Sequence, residues 1–225
     1  IFVEDDENPQ LIFESLNSTG LDLSEADKIR NFILMRLDNK KQEDFYERYW
    51  NKIEKLTCLK GTKDYKVSEF IRHYLTLITK RIPNINDVYF VFKKYVIEEI
   101  RQKHTEDCEN ILQDMLKYAQ IYSKIINSSF SSEKVSKIVK RLNHIDMTVI
   151  YPFFLAFFEM YENHKISEEE TVKVLSCIES FIFRRMICSG YATNALNKIF
   201  FTLHYDVKKN LDEKNSYSDV LVYIL

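Results

Sequence analysis

Apolar positions recur every three or four residues over almost the whole chain, the period of a helix buried along one face. Ala26, Ile29, Ile33 and Leu37 predict a helix over Ser24–Leu37, with Ser24 as its cap. Phe45, Tyr49, Trp50 and Ile53 predict another from about Gln42 to Leu56, after the polar joint Asp38-Asn39-Lys40-Lys41. A third runs from about Tyr65 to Thr79 and stops ahead of Pro83. Val88, Val91, Phe92, Tyr95 and Val96 mark the next, capped by Asn86 or Asp87. Ile111, Met115, Tyr118, Tyr122 and Ile125 mark a helix within 106–127. Beyond the loop 127–131, Ser131 or Ser132 opens a helix to His144.

The apolar run from Met147 to about Tyr161 predicts a buried core helix, kinked or restarted at Pro152. Ser167-Glu168-Glu169-Glu170 has the form of a capping box. The helix it opens, to about Cys188, is apolar nearly all round and is expected at the bundle centre. Thr193–Leu203 and a helix beginning at Ser218 complete the series. The expected fold class is mainly α: a multi-helix bundle, joined to the helical tail of a truncated α+β domain.

Composition sharpens this picture. With 3 Gly and 3 Pro in 225 residues, turn-rich sheet folds are disfavoured. A 45% hydrophobic and 29% charged chain is globular rather than disordered. A formal net charge of -2 provides no global basic field for nucleic acid, so any DNA contact has to come from a local patch. Cys58, Cys108, Cys177 and Cys188 form no CxxC pair and read as reduced thiols of a cytoplasmic protein. Met147–Phe158 is shorter than the roughly 20 residues a membrane span needs, and no membrane partner is expected. The chain opens on Ile1-Phe2-Val3, like the end of a strand, and closes inside the apolar run Val220–Leu225, which leads us to expect a piece of a longer protein.

The N-terminal joint is the most specific feature. A short helix, Pro9–Leu16, is followed by Asn17-Ser18-Thr19-Gly20, where Gly20 supplies a conformation that stops a helix. The run Ile12 to Met35, within a match over roughly residues 8–37, resembles the end of the ParB/sulfiredoxin-like N-terminal domain of GmrSD-type, modification-dependent restriction proteins. Asp146–Pro152, Ile178–Cys188 and Thr193–Phe200, in that order, resemble the helical middle region of the same proteins. The resemblance implies residues 1–39 as the tail of the N-terminal domain and 40–225 as the helical middle region, with subdomains 40–127 and 128–225 as one division of it. It implies a prokaryotic defence protein that couples nucleotide hydrolysis to DNA cleavage, with an NTP and a divalent metal used by the intact parent. The upstream "DGQQR"-like motif and the His-Ile-x-Pro nuclease signature do not occur; His144-Ile145-Asp146 is followed by Met147. No cofactor is therefore expected in this chain, and its partners would be the missing nucleotide-site and nuclease segments, DNA, and a second copy in a homo-oligomer.

Several side chains carry two readings. Asn17, Thr19 and Gly20 line a nucleotide or DNA pocket, or simply satisfy a helix stop. Arg30 reaches a phosphate, or pairs with Asp27 three residues earlier on the helix. Lys134, Lys137, Lys140 and Arg141 fall on one face opposite Val135, Ile138, Val139 and Leu142, and track a DNA backbone or form a solvated face. Arg184 and Arg185, in a nearly all-apolar helix, need carboxylate partners such as Glu179 and Glu159, or bind phosphate. Glu69 and His73, four residues apart, form the only metal-like pair considered and lack a second one. The competing functional class is a helical protein-interaction module without a nucleic-acid role.

Overall fold

The computed structural model describes residues 23–103, 108–188, 193–212 and 214–225. Among these it is a mainly α multi-helix bundle, with one isolated antiparallel bridge, Cys58 to Tyr65, in a loop. The first described helix, α1 (Glu25–Leu34), is capped by the Ser24 hydroxyl, which accepts the Asp27 amide. It ends short of Leu37. Asp38 takes an extended backbone there and its carboxylate accepts the Lys41 amide, so the expected polar joint is itself the start of α2. Helix α2 runs through Asn39–Phe45, a π-helical stretch Tyr46–Trp50, and Asn51–Leu56. The wider turn lets the adjacent Tyr49 and Trp50 both bury.

Helices α3 (Val67–Thr79), α4 (Val88–Lys103) and α5 (Glu109–Ile126) follow. Next come α6 (Glu133–His144), a 3-10 turn (Thr148–Ile150) and α7 (Tyr151–Glu162). Helices α8 (Glu168–Cys188), α9 (Thr193–Phe200), α10 (Leu203–Asn210) and α11 (Tyr217–Ile224) close the series. Ser132 caps α6 through the Val135 amide. Pro152 lies in the first turn of α7, where its missing N–H costs nothing, so the chain restarts there rather than kinking.

Helix α7, not α8, is the centre. Every residue from Tyr151 to Phe158 is buried, and α3, α5 and α10 pack around it. Its rings make a continuous aromatic contact set, including Phe130 stacked on Phe158 at 4.2 Å and Phe157 beside Tyr217 at 5.3 Å. Glu159 accepts hydrogen bonds from Lys117 and from the Tyr118 hydroxyl, pinning α7 to α5. The expectation that α8 fills the centre is corrected. Thr171, Val174, Leu175, Ile178 and Ile182 form one buried stripe, packed against α6 and α11, while Phe183, Met186 and Ile187 are 57%, 53% and 67% exposed. An apolar helix with neighbours on one side only leaves its other face in water.

The expected capping box at Ser167 is half formed. The Ser167 hydroxyl accepts the Glu170 amide, but the Glu170 carboxylate accepts the Ser218 amide at 2.6 Å, adding a tether to the first turn of α11, which Ser216 and Asp219 already cap. Among the described residues, one hydrophobic core cluster includes side chains on both sides of 39/40 and of 127/128.

Candidate functional site

A cleft of about 760 Å³ opens where four segments of the chain meet. They are the loop from Leu59 to Lys66, the first turn of α3, the end of α5 with Ser128, and the end of α6 with the stretch to Tyr151. The loop is held by the Lys66 amide on the Thr57 carbonyl (3.0 Å) and the Leu59 amide on the Asp64 carbonyl (3.1 Å). Gly61 turns it with φ +78°, a conformation that a side chain would strain. The Asn127 side chain accepts the Lys60 amide at 2.9 Å, fastening the loop to α5.

The α5 and α6 ends are shaped by residues that turn left-handed without glycine, Ser128 (φ 48°) and Asp146 (φ 54°). The Ser129 amide reaches the Lys124 carbonyl and the Ser128 amide the Ile125 carbonyl, the two bonds of a helix-ending motif that usually uses Gly. Asn143 ties the cleft wall together. Its amide nitrogen donates to the Ile125 carbonyl (2.7 Å) and the Ser128 hydroxyl (3.1 Å), and its oxygen accepts the Tyr151 hydroxyl (3.2 Å).

Tyr122 and Tyr151 form the floor, edge to face at 5.7 Å. Tyr122 is 2% exposed, and its hydroxyl makes no hydrogen bond among the described residues. Burial pushes its ionisation well above the ordinary tyrosine range, and pushes Tyr151 up to about 12, so both are hydrogen-bond donors rather than bases. The rim carries Lys60, Lys66, Lys140 and His144 against Glu69 and Asp146. Lys66 is held charged by Asp64, with its ammonium 3.0 Å from Asp64 and 3.9 Å from Glu69. The cleft is thus a mixed polar recess in which Lys66 is neutralised by Asp64 and Glu69, equipped to hold a polar group. Among the described residues no group of three or more His, Cys, Asp and Glu converges to hold a metal.

The structure scatters the residues nominated from the sequence. Asn17, Thr19 and Gly20 lie outside the described residues. Arg30 pairs with Asp27 at 3.0 Å and approaches Glu54 at 3.5 Å, committing its guanidinium to two carboxylates. Of the four α6 cations, all exposed, Lys137 is paired with Glu133 at 2.8 Å and Arg141 makes a bidentate contact to Glu179 on α8. Only Lys140 lines the cleft, while Lys134 forms no ion pair among the described residues. The carboxylates named as partners for Arg184 and Arg185 are engaged elsewhere. Glu179 is taken by Arg141 and Glu159 by Lys117, while Arg184 is exposed with its Nε on the Ser180 carbonyl (3.2 Å). Arg185 is half-buried over the Phe181 ring at 5.8 Å. His73 is buried against Tyr122 and Tyr151 rather than turned to a ligand with Glu69. Cys108 is buried, and Cys58 and Cys177 are half-buried free thiols.

Sequence reasoning missed Lys60, Lys66, Tyr122, Asn143 and Tyr151 as site residues. Their one shared signal is position, each near the end of a predicted element, and no single run contains them. No helix among the described residues is long and apolar enough to cross a membrane. The fold and cleft define a helical-bundle protein. Comparison with profiles of known families, with curated proteins and with solved structures finds no match.

Proposed function

We propose that this chain is the non-catalytic helical middle region of a GmrSD-type restriction protein, a scaffold and relay between a nucleotide-hydrolysing domain and a DNA nuclease domain. The observation that carries the reading is the seating of α1, the helix that follows the Gly20 joint. Its Glu25 carboxylate accepts the Tyr89 amide at 2.7 Å, and its Ala26 amide donates to the Ser68 hydroxyl at 3.2 Å. Phe32 sits edge-on to Tyr89 and Phe92 at 6.1 and 6.4 Å. A helix bonded to the first turns of both α3 and α4 passes a displacement at the joint into the bundle, because close-packed interfaces shift as units. The relay touches the DNA backbone through Lys140 and Lys60 at the cleft rim, with exposed Lys134 six residues earlier on α6; phosphate contact needs cations and no fixed geometry.

The test uses the intact parent protein. Phe32→Ala should leave nucleotide hydrolysis in place and remove its coupling to DNA cleavage. An intact protein that neither hydrolyses nucleotide nor binds DNA sinks the reading. In a parallel assay, Lys60→Glu/Lys140→Glu should weaken duplex-DNA binding by this chain and flatten its salt dependence.

A further inference from the structure

The face of α4 turned away from the core carries a pattern that neither the cleft nor the relay uses. Val88, Tyr89, Phe92 and Val96 are buried on the inner side, against α1 and α3. Phe90 and Ile97 stand on the outer side, 64% and 47% exposed. They are seven residues apart, about 10 Å along the axis at roughly 1.5 Å per residue. Lys94 and Arg101 repeat at the same step, each four residues after an apolar partner. Together with Lys93 and Glu98 these residues line a shallow groove of about 430 Å³. Neither Lys94 nor Arg101 forms an ion pair among the described residues.

We propose that this groove docks an acidic amphipathic helix of a partner protein. Two apolar knobs one heptad apart, each followed by a cation at the same offset, match a partner helix that repeats every seven residues. The flanking charges select the sign: Lys94 and Arg101, without an ion pair among the described residues, outnumber Glu98 along the groove and call for Asp and Glu beside the partner's apolar stripe. A second copy of the same face is disfavoured, because self-pairing sets Lys94 and Arg101 against their own images. A lipid surface is a poorer occupant, because two separated apolar side chains on a helix locked into the core bury little area in a membrane. The inference stands apart from the relay reading and needs no DNA.

The probe is a labelled three-heptad peptide with Leu at its core positions and Glu at its flanks, titrated into the full chain; a control peptide carries Lys at the flanks. The Glu peptide should bind saturably and more weakly at high salt, with the Lys peptide about tenfold weaker or worse. Lys94→Glu/Arg101→Glu should invert that preference. Phe90→Ser/Ile97→Ser should remove binding of both, with an unchanged helical spectrum in each variant. Equal binding of the two peptides, binding of neither, or Glu-peptide binding indifferent to the charge reversal overturns the proposal. Sedimentation with phosphatidylserine vesicles, lost in these variants and unaccompanied by peptide binding, also overturns it and assigns the face to a membrane surface.

Discussion

Helix α7 and the second half of α8 are both strongly apolar, yet only α7 is buried. The stretch Tyr151–Phe158 has packed helices around it and loses nearly all its apolar surface to them. Helix α8 buries a single stripe ending at Ile182, and Phe183, Met186 and Ile187 remain outside. Local hydrophobicity therefore reports how much surface a helix offers, while the number of neighbours decides how much is removed from water. The polar tethers divide in the same way. Helix α7 is held through Glu159 and Glu162 to Lys117 and Lys124 of α5. Helix α8 is fixed through Glu170 to α11 and through Glu179 to Arg141 of α6.

The sharpest break of this comparison is a matched pair of truncations. Phe158→Ala should cost about 3–5 kcal/mol by urea denaturation, because it leaves a cavity against Phe130 and Phe154. Phe183→Ser should stay within about 0.5 kcal/mol of the parent. A large loss at Phe183 would mean that its face is covered in solution.

The surroundings of α7 also predict a pH response that α8 lacks. His73 on α3 is held neutral by burial, with Arg72 adding to the effect, and protonates only at about 3. Tyr122 and Tyr151 are the rings packed on it. His204 on α10, also buried, is brought down to about 4, with Lys208 opposing protonation and Glu159 favouring it. Its Nδ1 lies 3.1 Å from the Tyr217 hydroxyl. Both folded-state values lie below the ordinary 6.5, so the unfolded chain takes up protons first. The stabilisation is full above about pH 6.5 and is lost as pH falls toward those values, at about 1.4 kcal/mol per pH unit for each histidine. Urea denaturation between pH 7.5 and 5 should show this slope, and His73→Gln should roughly halve it.

A smaller effect sharpens the α8 side. Glu170→Ala removes the acceptor of the Ser218 amide, leaves the Ser216–Asp219 capping box of α11 in place, and should cost about 1 kcal/mol. Amide exchange in the first turn of α11 should quicken while exchange in α7 stays unchanged. Equal quickening in both would show that the two sides unfold as one unit.

Much of this architecture was legible from the apolar period. The positions of α3, α5, α6 and α7 follow from it, because each has a clean stripe and a recognisable stop or start. Helix α2 began earlier than expected because Asp38 serves as a cap, and α8 was misplaced because its composition does not reveal its neighbours. The cleft was not legible at all: Lys60, Tyr122, Asn143 and Tyr151 come from separate segments, and Ser128 and Asp146 turn left-handed where glycine would have signalled the bend. The α4 groove did leave a trace, since Phe90, Lys94, Ile97 and Arg101 recur at steps of four and three on the side opposite the predicted stripe.

The sequence by itself determined that this chain builds helices, where most of them lie and, α8 apart, which stripe the clearly periodic ones bury, because helical periodicity is a local property read over a few turns. The tertiary structure alone decided which apolar helix became the centre, which carboxylate answered which cation, and which polar groups met around a cleft. Those outcomes depend on residues tens of positions apart being brought within a few ångströms, as when Glu170 accepts the Ser218 amide in the first turn of α11 rather than closing its own capping box.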